Sequence, residues 1–181
     1  MMGLTSGQTG GDLHGEGANV MKYQKTLGLD EAQRVVDAVI SHAKKSNHVG
    51  IAVVIVDKAG EIIASARMDG RSQRFGKAAH RKAYSAALFE RDTPGIIKFW
   101  NQQEKEGHRG PHDWNDPMAT TLPGGLVVAH GDDVVGAIGV AGGNAQIGDP
   151  EFAEIAFAAL GEGFHHYVDW PAAQTGLAAA S

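Results

Sequence analysis

Residues 122–143 read as two short apolar runs joined at His130-Gly131-Asp132-Asp133 and bracketed by Gly124-Gly125 and Gly142-Gly143. Gly and Asp tolerate the positive φ angles that tight hairpin turns require, so the pattern predicts a β-hairpin with glycine hinges at both ends. Gly136 and Gly139 fall inside its second strand, where glycine has no side chain to pack and loses the most backbone entropy. Strand glycines of this kind mark a bulge, or a place where another backbone or a ligand comes close.

Upstream, residues 50–57 form a nearly continuous β-branched run. Lys58-Ala59-Gly60 then turns the chain into a second strand over about 61–67, which makes a second hairpin. A helix is expected from Asp30, as N-cap with Gln33 three residues on, to Asn47; its stripe is Val35, Val36, Val39, Ile40 and Ala43. A second helix over about 74–90 carries an unusually small face of Ala78, Ala79, Ala83, Ala86 and Ala87, which suits close packing on the sheet or on a second copy and is equally explained by the high helix propensity of alanine alone. Asp149-Pro150-Glu151 starts a last helix, with Asp149 as its N-cap. That helix fades through Gly161 and Gly163 toward His165-His166-Tyr167. Two hairpins and these helices predict an α+β fold, an antiparallel sheet with helices on one side. Residues 92–121 are expected as a long connection rich in aromatic and histidine residues. Residues 1–22 read as a flexible arm, 23–170 as the single domain and 171–181 as a loose tail.

The chain has 181 residues, 43% of them apolar, enough for the core of one domain. A net charge of -5 argues against a general binder of nucleic-acid phosphates. The absence of cysteine excludes disulfides, thiolate nucleophiles and Cys-ligated metal centres. No apolar run is long enough for a membrane span and the N-terminus lacks the features of a secretory signal, so a cytoplasmic protein is expected.

No nucleophile elbow, phosphate-binding loop, dinucleotide fingerprint or zinc helix is present. What remains is a scattered set of side chains. His80, His108, His112 and Asp113 are the candidate acid/base groups, because imidazole titrates near neutrality and a carboxylate can orient it. His108 and His112 also admit metal ligation or plain surface solvation, although Gly110 and Pro111 between them prevent a regular helix and no metal is expected. His80, four residues before Tyr84 on a helix, reads first as a solvent-facing or packed histidine and is also open to an acid/base or haem-ligand role. Arg67, Arg71 and Arg74 flank the loop after the second strand, where a guanidinium can hold a carboxylate through paired hydrogen bonds; ordinary surface charge explains any one of them alone. Trp100 and Trp114 can stack on an aromatic ligand or sit in a core. Gly124 and Gly125 complete the candidate binding set.

The ordered series Pro123-Gly124-Gly125, Gly136-Ala137-Ile138-Gly139-Val140 and Gly142-Gly143, followed by Asp149, Glu151, Glu154 and Ala156, resembles the signature of the GlcG/HbpS family, often labelled haem-binding or haem-degrading. Residues 50–57 with Gly60, Arg67-Met68-Asp69-Gly70 and Lys82-Ala83-Tyr84-Ser85-Ala86-Ala87 match in the same order, so the resemblance covers about 26–168. It implies the same α+β architecture and a homo-oligomer. Two functions follow from it. One is a small-molecule enzyme similar to the 4-hydroxylaminobenzoate lyases, which release ammonia and leave a dihydroxybenzoate. It would need no cofactor, a cation for the carboxylate of a small aromatic substrate, and an acid and a base from the histidines or Asp113. The enlarged, polar segment 92–121 favours this reading. The other is a haem-binding, redox-sensing or accessory protein without catalysis, which needs an axial ligand and an apolar cleft.

Overall fold

The computed structural model describes residues 23–109 and 115–169. Both expected hairpins are present: β1 (Ala52–Val56) pairs with β2 (Ile62–Arg67), and β3 (Gly125–His130) with β4 (Asp133–Ala141), all antiparallel. Their junction is long-range. Strand β1 lies beside β4, with Ala52 opposite Ala141 and Val56 opposite Ala137, and the sheet order is β2-β1-β4-β3-β5. In the β3–β4 turn Gly131 takes φ +62°, at the first central position where a type II′ turn calls for glycine.

Helices cover both faces of the sheet, not one as expected. Val53, Ile55, Ile138 and Val140 point toward α1 (Leu29–Lys45) and α4 (Asp149–Ala158), packing with Val35, Val39, Phe152 and Ala156. Ala52, Val54, Val56, Ala137 and Ala141 point the other way, onto Ala79, Ala83, Ala86 and Ala87 of α2 (Gln73–Leu88). The continuous burial of β1 is the physical reason: a strand without polar alternation has no face to give to water.

The small face of α2 is pressed on the sheet. A Cβ on Gly139 would stand 2.1 Å from the Ala79 carbonyl oxygen, and one on Gly125 would stand 2.6 Å from that of Lys82. Only glycine lets the helix backbone come so close.

Four elements differ from expectation. The first half of the supposed connection is a helix, α3 (Thr93–Lys105), with Asp92 at its N-cap and Pro94 in its first turn. Its apolar stripe is short, Ile96 and Trp100 packing with Phe89 and Phe99, and so gives little periodic signal. After α4 the chain forms a two-residue strand, β5 (Phe164–His165), paired with Ala129 and His130. Helices α1 and α4 are capped by Gly28 and Gly148, leaving Asp30 and Asp149 in the first turns. At α1 the Gly28 N–H donates to Glu31 Oε2 at 3.1 Å. The arm expected over 1–22 and the tail expected over 171–181 lie outside the described residues. Among the described residues no helix is long and apolar enough to cross a membrane.

Candidate functional site

Helix α2 crosses the sheet over β1 and β4, so the edge strand β2 has little above it on that side. Between β2 and α2 opens a groove of about 370 Å³, with Val54 and Ile62 as apolar side chains, the backbone at Ala66 along its floor, and Ser65, Arg67, Lys77 and His80 as its polar groups. Strand alternation sets Ser65 and Arg67 on the groove face, opposite Val54 and Ala52 of β1. Helical spacing brings Gly76, Lys77 and His80 along one side of α2.

The partly buried His80 ring is oriented by the β1–β2 turn, with its Nε2 3.3 Å from the Gly60 carbonyl oxygen. Since a carbonyl only accepts, this contact places a proton on Nε2 and leaves the Nδ1 lone pair free in the neutral ring. Gly60 itself, at φ +85°, lies under the Tyr84 ring, where a Cβ would meet Tyr84 Cδ2 at 2.6 Å. Asp57 holds the turn by accepting from the Ala59 and Glu61 N–H groups at 2.8 and 3.0 Å.

Residues 116–120, on the way to β3, dock along α2. Tyr84 Oη donates to Asp116 Oδ2 at 2.8 Å, Arg81 Nη2 to the Ala119 carbonyl at 2.8 Å, and the Thr120 N–H to Ser85 Oγ at 2.8 Å. The bond to Asp116 raises the Tyr84 hydroxyl above its usual pKa, with burial adding to the effect.

Of the residues singled out in the sequence, Arg67 and His80 meet in this groove. Arg71 does not join them: its Nε donates to the Gly50 carbonyl at 2.9 Å and its Nη2 to that of Gly142 at 2.5 Å. Its carbonyl in turn accepts from Arg67 Nη1. Arg71 and Arg74 both stack on Phe75, at 4.3 and 4.7 Å from the ring centroid. Trp100 is buried against Phe89 and Phe99. His108 is exposed just past the end of α3. Gly124 and Gly125 are occupied by the protein itself, Gly124 against Asp149 and Gly125 under α2. His112, Asp113 and Trp114 lie outside the described residues. Ser65 and Lys77 were missed, although the alternation of β2 and the spacing Lys77–His80 would have found them once the two elements were known to face each other.

Two further polar clusters are internal. Lys82, 2% exposed, donates from Nζ to the Val140 carbonyl at 2.8 Å and to Asp149 Oδ2 at 2.5 Å, while Asp149 Oδ1 accepts from the Gly143 N–H at 2.6 Å. Burial lowers the Lys82 pKa and Asp149 opposes the shift. Asp92, 1% exposed, accepts from the Val127 N–H at 2.9 Å and bonds His166 Nδ1 at 2.7 Å; His166 Nε2 faces Glu154 at 3.3 Å. Burial pushes Asp92 up from 3.8, and the bond from His166 is the strongest of the contacts that pull it back. The bond to Asp92 raises His166 above 6.5 against its own burial. His48 is buried with its Nδ1 accepting from the Gly50 N–H at 3.2 Å, and its pKa is lowered by burial and then by Arg71. Among the described residues no group of three His, Asp or Glu side chains is arranged to hold a metal ion.

The family described as "Haem degrading protein HbpS-like" matches residues 27–158 of the chain. Protein GlcG of Escherichia coli strain K12 is 29% identical over 120 residues, 66% of this chain and 84% of GlcG. Among solved structures, Klebsiella pneumoniae protein ORFY is 27% identical with a TM-score of 0.67, covering 78% of this chain and 95% of its own. A double mutant of Streptomyces reticuli HbpS is 26% identical with a TM-score of 0.66, covering 90% and 100%. A PduOC:haem complex, 21% identical with a TM-score of 0.64 over 78% and 99%, shares the fold.

Proposed function

The chain belongs to the HbpS-like family, and on that premise we propose that it binds haem in the groove between β2 and α2. One observation carries the reading: His80, Arg67 and Lys77 converge on a groove whose apolar lining is Val54 and Ile62. A porphyrin needs a ligand for its iron, apolar contact for its rings and cations for its propionates, and this donor set fits all three. The His80 nitrogen not held by Gly60 is the ligand, and Arg67 and Lys77 are the propionate partners. Bound haem would supply redox and ligand-exchange chemistry. The protein's own part is to orient the imidazole through the Gly60 carbonyl and to neutralise the carboxylates.

A second reading uses the same pairing of Arg67 with His80. In an ammonia-releasing lyase acting on 4-hydroxylaminobenzoate, Arg67 would take the substrate carboxylate. His80 would move the proton as water adds and ammonia leaves, giving a dihydroxybenzoate. The two ligands share a planar aromatic body and a carboxylate, which is why one groove suits either.

An absorbance titration with haemin, run beside an ammonia-release assay on 4-hydroxylaminobenzoate, separates them. The haem reading expects a saturable Soret shift that His80→Ala abolishes and no ammonia. Ammonia release lost in Arg67→Ala and His80→Ala, with only diffuse haemin binding, would replace it by the lyase. Diffuse haemin binding without ammonia would remove both.

A further inference from the structure

We propose that Tyr84 and Asp116 are positioning residues for the groove, acting on His80 through the backbone of Gly60. The contacts form an unbroken chain. Asp116, on the segment returning from α3, accepts from the Tyr84 hydroxyl at 2.8 Å. The Tyr84 ring covers Gly60 so closely that any Cβ there would overlap it. The Gly60 carbonyl holds His80 Nε2 at 3.3 Å. His80 and Tyr84 are one turn apart on α2 and meet the same glycine from adjacent positions.

Asp116 is itself held. Its Oδ1 accepts from the Met118 N–H at 2.8 Å, so the carboxylate that fixes Tyr84 belongs to an ordered turn and not to a free side chain. Residues 115–121, none of which is among the described lining of the groove, thereby bear on how firmly the Gly60 carbonyl holds His80 Nε2. Specificity of the groove follows from this: a change at Asp116 reaches His80 through three contacts, Asp116 to Tyr84, Tyr84 to Gly60 and Gly60 to His80.

Only the ligand arm of the test rests on the proposed haem site. In ¹⁵N-labelled protein without ligand, the His80 ring nitrogens are assigned with His80→Gln. The expectation is that Tyr84→Phe and Asp116→Ala, both folded by circular dichroism, shift the His80 resonances in the same way, and that the double variant shifts them no further. Asp116→Asn, which retains a polar partner for the Tyr84 hydroxyl, should restore the wild-type spectrum. Haemin affinity should fall about two- to tenfold in each single variant, the range of one net hydrogen bond. Unchanged His80 resonances in folded Tyr84→Phe would overturn the proposal whether or not haemin binds. If haemin does not bind to the wild type, the haem reading fails while the resonances still decide the positioning role. If Asp116→Ala does not fold, Tyr84→Phe, which removes only the hydroxyl that ties the ring to Asp116 and so frees the ring to leave Gly60, carries the test alone.

Discussion

Gly125 and Gly139 stand opposite each other across β3 and β4, and helix α2 rests on both. The pair forms a flat seat for the helix. That seat sets the height of α2 above the sheet, and with it the depth of the groove beside β2.

Gly139→Ala is therefore expected to destabilise the protein by about 1–3 kcal/mol, the usual cost of overpacking, since its Cβ would meet the Ala79 carbonyl oxygen and the Ala83 nitrogen. Urea denaturation measures this directly. Gly107→Ala, with open space around its Cβ but φ +90°, should cost less. A Gly139→Ala midpoint equal to wild type would mean that α2 does not need the seat.

Lys82 and Asp149 have side chains 3% and 24% exposed, against 63% and 77% for Lys98 and Asp169. Lys82→Met strands a half-hidden carboxylate and the Val140 carbonyl, and should cost about 3–5 kcal/mol. Lys98→Met should cost no more than about 1 kcal/mol. Comparable losses from the two variants would show that burial contributes nothing to the inner pair.

The raised pKa of His166 makes stability depend on pH with a definite sign. The folded protein holds this proton more tightly than the unfolded chain, so the contribution is complete below about 6.5 and is lost as pH rises through the folded value. From pH 7 to pH 8.5, above the range in which His48 with its lowered pKa acts in the opposite direction, denaturation midpoints should fall, and His166→Gln should flatten that fall. A variant as steep as wild type would assign the dependence to other groups.

Arg67→Ala and Lys77→Ala should each weaken haemin binding, and the loss should shrink as salt rises, because exposed charge pairs are screened over about 8–10 Å at ordinary ionic strength. Trp100→Ala should instead cost about 3–5 kcal/mol of stability while leaving the affinity of the folded fraction alone. Loss of affinity in folded Trp100→Ala, with none in Arg67→Ala, would move the site away from β2.

Much of this fold is legible locally. The β-branched run at 50–57, the turn at Gly60 and the paired glycines around 122–143 give both hairpins, because strand alternation and turn chemistry act over a few residues. Helix α3 escaped because its stripe is little more than Ile96 and Trp100, and β5 because two residues carry no period. Of the site, Arg67 and His80 were legible as residue types that bind and titrate. Arg71, only four positions further on, looked equivalent and is not, since it spans 71 residues to the Gly142 carbonyl.

By itself, then, the sequence determined the secondary elements whose signals are periodic or turn-based, together with the family they belong to. Tertiary structure alone decided that β1 lies beside β4, that helices cover both faces, and that Arg67, Lys77 and His80 share one groove. The reason is that propensity and turn preference are properties of neighbours in the chain. Pairing of distant strands and the seating of a helix on two glycines are settled only by burial and close packing between segments that meet after the chain has folded.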